Sequence, residues 1–361
     1  MSSPVDSASV LVTGGAGFVG SNFVVDAVSQ HGWTVVNVDK LTYAGSLHNL
    51  EPLAGNPRHI FHQADIADRE TIRQLLQQHR PLAIVHFAAE THVDRSIAGP
   101  EAFVATNIVG TFHLLVEACE YWRSLPAPEA KAFRFLHVST DEVFGALTAD
   151  APGFTEQSRY LPNSPYAASK ASSDHMVRAY NRTFGLPVLT THCSNNYGPY
   201  QFPEKLIPLV ICNALQGKPL PVYGNGRNIR DWLFVQDHCD GIRTVLARGQ
   251  TGQCYNIGGC CELANLDVVN TLCRVLDELR PKPQGSYAAQ IQFVTDRLGH
   301  DFRYATDTAK IHQELGWRPA ESFETGIRKT VQWYLDHQDW VKQVTREAHG
   351  SDQDHSQKAS V

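Results

Sequence analysis

The stretch Ala8-Ser-Val-Leu-Val-Thr13-Gly14-Gly-Ala-Gly17-Phe-Val-Gly20-Ser-Asn-Phe-Val-Val-Asp-Ala-Val28 decides the fold. Its opening run is apolar and reads as a buried strand. The glycines then recur as G-x-x-G-x-x-G, and residues 21–28 carry apolar side chains at helical spacing. Strand, glycine-rich turn and helix, in that order, form the setting of a dinucleotide site. Glycine lets the backbone come close to a pyrophosphate, and the helix N-terminus favours its charge. A second strand, Trp33-Thr-Val-Val-Asn-Val38, ends at Asp39, nineteen residues past Gly20. A carboxylate there suits the 2′-hydroxyl of NAD and repels a 2′-phosphate, while Lys40 beside it softens the preference. The expected fold class is α/β, a Rossmann-like doubly wound parallel sheet with a smaller mixed α/β domain, and the expected cofactor is NAD.

Further along, the apolar run Phe133-Arg-Phe-Leu-His-Val138 leads into Ser139-Thr140-Asp141-Glu142-Val143-Phe144-Gly145. Tyr166-Ala-Ala-Ser-Lys170 then opens a helical segment, with Tyr166 and Lys170 four apart on one face. An ammonium near a phenol favours phenolate and lowers its pKa from about 10, giving a base for a sugar alcohol. Out of context, a Tyr-x-x-x-Lys is also a solvated helix face, and an Asp-Glu pair a solvated acidic turn. Their position after a buried strand, at the carboxyl edge where doubly wound sheets bind ligands, favours chemistry.

These motifs together resemble the extended short-chain dehydrogenase/reductase family. Thr13 to Gly20, Thr140 and the Tyr166/Lys170 pair match its cofactor turn, its catalytic hydroxyl and its Tyr-Lys base. The resemblance implies cofactor contacts at Gly14, Gly17, Phe18, Val19, Gly20, Asp39, Lys40, Leu41 and Thr42. It adds Asp65 and Ile66 at the adenine, and Phe87, Ala88, Ala89 and Thr91 beneath the nicotinamide. Thr106, Tyr166, Lys170 and Asn196 complete that set. Segments along nearly the whole chain resemble the family's sugar-nucleotide 4,6-dehydrating members, which carry Asp-Glu directly after the hydroxyl residue.

The activity so implied is oxidation at C4 of a dTDP-linked glucose, loss of water across C5 and C6, and return of the hydride to C6. Tyr166 would take the 4-hydroxyl proton, Thr140 hold O4, Glu142 remove the C5 proton and Asp141 protonate the departing 6-hydroxyl. Asp141 is expected near neutral and Glu142 ionised. Substrate contacts are implied at Thr91, Thr140, Asn195, Lys205, Leu206, Pro221, Tyr223, Arg230, Asn265, Arg297 and His300. Alternatives are a UDP- or GDP-linked hexose, and an NAD-binding regulatory protein without turnover. Five positions depart from the usual pattern: Phe144, Gln236, Cys260, Cys261 and Leu298. The two cysteines and Leu298 flank the substrate loop.

At 361 residues, the chain is expected to divide into a cofactor domain over 1–190 and a mainly sugar-nucleotide domain over 191–345. The family's chain path returns to the first domain around 232–257. Residues 346–361 are almost free of apolar side chains and read as a disordered tail. Asn195 to Tyr200 reads as a loop. A net charge of −6 without a basic stripe argues against nucleic acid. The first residues lack the cationic and apolar regions of a signal peptide, and no apolar run was read as approaching the ~20 residues of a membrane span. The eight cysteines and seventeen histidines are scattered, with no metal-ligand spacing. A cytoplasmic enzyme without a metal is expected. The resemblance further implies a homodimer, built on helices over 101–122 and 164–184.

Overall fold

The computed structural model describes residues 9–297 and 299–347. Seven strands form an all-parallel sheet: β1 (Ser9–Thr13), β2 (Thr34–Asp39), β3 (His59–Gln63), β4 (Ala83–His86), β5 (Arg134–Thr140), β6 (Val188–Cys193) and β10 (Cys254–Ile257). Their order is β10-β6-β5-β4-β1-β2-β3. The chain lays strands to one side of β1 first and then to the other. The strand order reverses there, which opens a crevice at the carboxyl ends. Alternate residues of each strand feed opposite cores, as the pleat requires. Val10, Val12 and Val35 pack with Phe23 and Val24 of the helix Phe18–Ser29 and with Ile242 and Val245 of the helix Val235–Arg248. Leu11, Val36 and Ile84 pack on the other face with Leu114, Leu115 and Val177. Both faces are covered, which explains why these strands read as continuous apolar runs.

Two small sheets lie beyond. β7 (Asn195–Tyr197), β9 (Ile229–Phe234) and β11 (Glu262–Ala264) form one, and β8 (Leu220–Tyr223) with β12 (Ile291–Val294) the other. They share a core with the helices Leu206–Leu215, Asn265–Leu279 and Phe323–Asp336. The segment read as a loop from Asn195 is therefore a strand as far as Tyr197, pairing in parallel with Trp232–Phe234. A three-residue strand defined by a distant partner leaves no period in its own sequence.

Residues 338–347 are helical, so Arg346 and Glu347 do not belong to a disordered tail. The helix is held against the first half: Trp340 Nε1 donates to Asn49 Oδ1 at 2.9 Å, and Ser46 Oγ donates to Glu347 Oε2 at 2.8 Å. The rest of the expected tail, and Leu298, lie outside the described residues. The helix Glu101–Ser124 has a mean hydropathy of 1.5 over its most apolar window, long and apolar enough to cross a membrane by composition alone. Half of that window is buried, and the helix packs against Arg69–His79 and Pro165–Phe184. It is a core helix, and the sequence reading underestimated its apolar length. Within it, residues Val104–Gly110 wind as a π-helix.

The glycine-rich turn is fixed by sterics. A methyl on Gly20 would sit 2.1 Å from the Gly14 carbonyl oxygen and 2.9 Å from Gly15 Cα, backbone atoms that cannot move aside. Alanine gains about 1 kcal/mol of helix propensity over glycine, but overpacking against backbone costs more. Urea unfolding of Gly20→Ala is expected to show a loss of about 2 kcal/mol, with the propensity gain hidden beneath it.

Candidate active site

One large cleft opens over the carboxyl ends of β1, β4, β5 and β6. On the cofactor side, Gly17 caps the helix Phe18–Ser29, and no side chain bonds the free amides of its first turn. A methyl on Gly17 would meet nothing closer than the Gly14 oxygen at 3.4 Å. The fold tolerates a side chain there; a ligand on those amides would not. Asp39, at the end of β2, accepts from Ala16 N at 2.9 Å and from Leu41 N at 2.8 Å. A carboxylate has about four acceptor positions, so two remain for ribose hydroxyls. Lys40 pairs with Asp65 at 2.6 Å, beneath the position read for the adenine. Bound NAD is thus accommodated by the chemistry of the donors and acceptors present.

Chemistry-bearing groups meet on the other side. Thr140 ends β5, and its hydroxyl accepts from Glu142 N at 3.3 Å, capping the 3-10 turn Asp141–Phe144. Local capping therefore points the two acids into the cleft in succession. The helix Pro165–Phe184 starts at Ser164, whose side chain accepts from Ala167 N, and it delivers Tyr166 and Lys170 to the same floor. Lys170 Nζ donates to the Val138 carbonyl at 2.9 Å.

Burial dominates the titrations. It pushes Asp141 well above the usual carboxylate range, with Glu142 and Asp231 adding to the effect. Glu142 is also raised by burial, but Arg230, Arg297 and Lys205 oppose the rise. The two acids thus differ in degree: both are raised, Asp141 the further, because Arg230, Arg297 and Lys205 oppose the rise at Glu142. Tyr166 corrects the sequence reading. Its phenol stands well above 10, raised by burial and by the Glu142 charge. Burial also lowers Lys170. The ammonium alone does not overcome desolvation of the phenolate.

The cleft is lined by Gly14, Gly17, Phe18, Val19, Gly20, Asp39, Lys40, Thr42, Asp65, Ile66, Phe87, Ala88, Ala89, Thr91 and Thr106. Thr140, Asp141, Glu142, Tyr166, Lys170, Asn195, Asn196 and Lys205 line it too. Leu41 instead packs on the core behind Asp39. Leu206, Pro221, Tyr223, Arg230, Asn265, Arg297 and His300 are outside this lining, on the two small sheets and the loops and helices around them. Arg230 is buried, donates to the Ile229 and Asp301 carbonyls at 2.7 and 3.0 Å, and lies over the Tyr304 ring. Arg297 pairs with Asp94 at 3.8 Å, and His300 with Asp296 at 2.6 Å.

Phe144 faces away from the cleft, stacked on Phe154 at 5.2 Å, so no cleft hydroxyl is lost there. Cys260 is exposed at a φ of 53°, and the Cys261 amide donates to Asp231 at 2.7 Å. Among the described residues, no group of three His, Cys, Asp or Glu is arranged to hold a metal ion.

Sequence reasoning missed Asn107, in the π-helical turn. Its amide accepts from Glu90 N at 2.8 Å and donates to the Glu90 carbonyl at 3.0 Å and to Ser169 Oγ at 2.8 Å. It ties the segment that follows β4 to the helix of the Tyr-Lys pair. No motif flagged it, because its reach depends on an irregular helix. Asp174, four residues past Lys170, was also missed, although its spacing was readable.

Comparison with known proteins supplies the context. The family model described as GDP-mannose 4,6 dehydratase matches residues 11–330. The dTDP-glucose 4,6-dehydratase of Xanthomonas campestris pv. campestris is 60% identical over 335 residues, covering 92% of this chain and 95% of that protein. That of Salmonella typhimurium is 55% identical over 350 residues, covering 95% and 97%. A structure of the Streptomyces venezuelae dTDP-glucose 4,6-dehydratase with NAD and TYD bound superposes with a TM-score of 0.84 at 46% identity, covering 93% of this chain and 99% of that one. The matched model and the relatives differ in the nucleotide and hexose they name and agree on 4,6-dehydration.

The open amides at Gly17 give a direct check. In Gly17→Ala the unfolding temperature of the cofactor-free protein should stay within about 2 °C, because the methyl meets no protein backbone closely. NAD affinity, read by titration calorimetry, should fall about tenfold or more. A cofactor affinity equal to wild type would separate the turn from cofactor binding.

Proposed function

This chain belongs to the dTDP-glucose 4,6-dehydratases of the NAD-dependent epimerase/dehydratase family, and we propose that it converts dTDP-glucose to dTDP-4-keto-6-deoxy-glucose as a hydro-lyase. The observation that carries this reading is the meeting of Thr140, Asp141 and Glu142 with Tyr166 and Lys170 in one buried cleft. A simple epimerase has no use for the two acids.

NAD, held by the turn at Gly17 and by Asp39, would supply the acceptor for the C4 hydride and the donor that returns it at C6. Tyr166 takes the proton of the 4-hydroxyl while Thr140 holds O4. The 4-ketone so formed acidifies C5–H. Glu142, kept closer to ionised by Arg230, Arg297 and Lys205, removes that proton. Asp141, held protonated by burial, gives its proton to the 6-hydroxyl, which leaves as water. After the hydride has returned to C6, Glu142 returns a proton to C5. Electrons balance within one turnover, so the cofactor ends as it began.

We assign Asn195 to the sugar or phosphate, Arg230, Asn265, Arg297 and His300 to the diphosphate and its surroundings, and Lys205, Leu206, Pro221 and Tyr223 to the nucleotide. Arginine's planar fork suits a phosphate. Residues 1–190, with a return through Val235–Arg248 and β10, would form the cofactor half, and most of 191–345 the sugar-nucleotide half. All eight cysteines are free, which fits a reducing cytoplasm. Val104, Val109 and Phe112 on one helix and Phe184 on the next are exposed large apolar side chains. We read them as the face where two copies meet. Sedimentation of Val104→Glu/Phe112→Glu should then show a monomer in place of a dimer.

The activity is tested by mass and NMR analysis after incubation with dTDP-glucose, catalytic NAD⁺ and deuterated water. The expected product has lost one water and carries deuterium at C5. Glu142→Gln should slow turnover by about 10²- to 10⁴-fold and abolish deuterium entry. Full deuterium entry in that variant would sink the assignment of the base. Parallel UDP- and GDP-linked hexoses, converted while dTDP-glucose is not, would keep the mechanism and replace the substrate.

A further inference from the structure

Beneath the Tyr-Lys pair lies a buried polar cluster that the reaction as described does not use. Asp174 follows Lys170 by four residues, so Tyr166, Lys170 and Asp174 form one stripe along the helix Pro165–Phe184. Asp174 is 4% exposed, as is Lys170. Its Oδ2 accepts from Ser139 Oγ at 2.9 Å and from Tyr160 OH at 3.0 Å, and His192 Nε2 lies 3.0 Å away. His137 Nε2 lies 3.1 Å from Oδ1. Ser139 and His137 come from β5, next to the Thr140 that ends it, and His192 from β6.

The groups facing the carboxylate are therefore Lys170 on its own helix, His137 on β5, His192 on β6, Tyr160 in the preceding loop and Cys254 on β10. Those facing Lys170 include Cys193 on β6, with His86 and His137 on β4 and β5. Burial pushes His137 down to about 4, so it stays neutral; its Nε2 hydrogen-bonds with Ser173 Oγ at 3.2 Å and only approaches Asp174 Oδ1, which has no hydrogen-bond partner among the described residues. The Nδ1 atoms of His137 and His192 are buried without a described partner, and an added proton there would find no acceptor. Ser139, Tyr160 and His192 thus fix the carboxylate through Oδ2. Lys170 is lowered by burial, and Asp174 is the largest influence raising it.

We propose that Asp174 is a positioning residue for the oxidation step: its anchored carboxylate holds Lys170 as an ammonium against the Val138 carbonyl, and through Lys170 it governs how tightly Tyr166 keeps its proton. The direct effect of Asp174 on Tyr166 has the opposite sign, since a negative charge disfavours phenolate. It acts over two helical turns, about 12 Å, against one turn for Asp174 on Lys170. The indirect route prevails. The proposal rests on the C4-oxidation reading above.

The test isolates that step. dTDP-xylose has no C6 hydroxyl, so it can lose hydride at C4 and cannot eliminate water. The rate of NADH appearance is followed by stopped-flow absorbance across pH in the wild type and in Asp174→Asn, Asp174→Ser and Asp174→Glu. The rate rises with pH as Tyr166 loses its proton. In both neutral variants that limb should move up by about one unit or more, which is about tenfold in rate at neutral pH. Half-saturation by dTDP-xylose should change less than about twofold, since Asp174 does not itself line the cleft and its one hydrogen bond to a lining residue is to Ser139, which has no assigned substrate contact. Asp174→Glu should keep the wild-type limb even if less stable. An unmoved or downward limb overturns the proposal. So does failure of both neutral variants to fold, unless Asp174→Glu, folded, still tracks the wild-type limb while His137→Gln, which keeps a neutral donor, does likewise; a moved limb in His137→Gln assigns the effect to packing. No NADH with wild-type enzyme would instead overturn the substrate reading.

Discussion

Charge taken out of water governs this molecule. Asp141 and Lys170 on the cleft lining are almost fully buried, and so is Arg230 just beyond it. An isolated charge in such a place costs several kcal/mol, so each has to be met by an opposite charge or by fixed dipoles. Lys170 is met by a strand carbonyl and Arg230 by the Ile229 and Asp301 carbonyls and an aromatic face. Asp141 is met by little, and it resolves the cost by favouring its neutral form. Two adjacent carboxyl groups are thus held unequally although they do not differ in chemical type.

This gives the smaller sheets a second task. Arg230 and Arg297, carried beyond the cleft lining, lower the tendency of Glu142 to take up a proton. Groups suited to recognising a diphosphate are also the groups that keep the neighbouring carboxylate closer to ionised. A phosphate arriving among those arginines would share their charge with Glu142, so recognition and basicity are coupled through one set of side chains. The Asp141–Phe144 turn stands between the two, which is why its cap by Thr140 matters to both.

Much of the parallel sheet and the cofactor edge was legible in the chain. The glycine turn, Asp39 and the apolar strands express local physics: backbone approach, helix capping and two-sided burial. The acids and the Tyr-Lys pair were legible for the same reason, because each sits at the end of an element with a clear period. What escaped depended on distant partners. Asn195–Tyr197 becomes a strand only beside Trp232–Phe234. Arg346 and Glu347 are helical next to Ser46 and Asn49, far away along the chain. The phenol of Tyr166 moved against expectation because spacing reveals a neighbouring ammonium and says nothing of lost water.

The π-helical winding of Val104–Gly110 has a consequence for how this chain is compared and altered. One residue of α-helix advances the azimuth by about 100°, so the extra residue re-indexes everything downstream. Upstream, Glu101 and Phe103 keep the phase of a regular helix; downstream, Thr111 to Ser124 follow a shifted one. Asn107, at the seam, clasps Glu90 and Ser169 because of the offset. A one-residue deletion here would preserve a perfectly good helix and yet carry that amide to another azimuth. In this stretch, register rather than composition sets where Asn107 lies, and a one-residue gap would change more than a substitution.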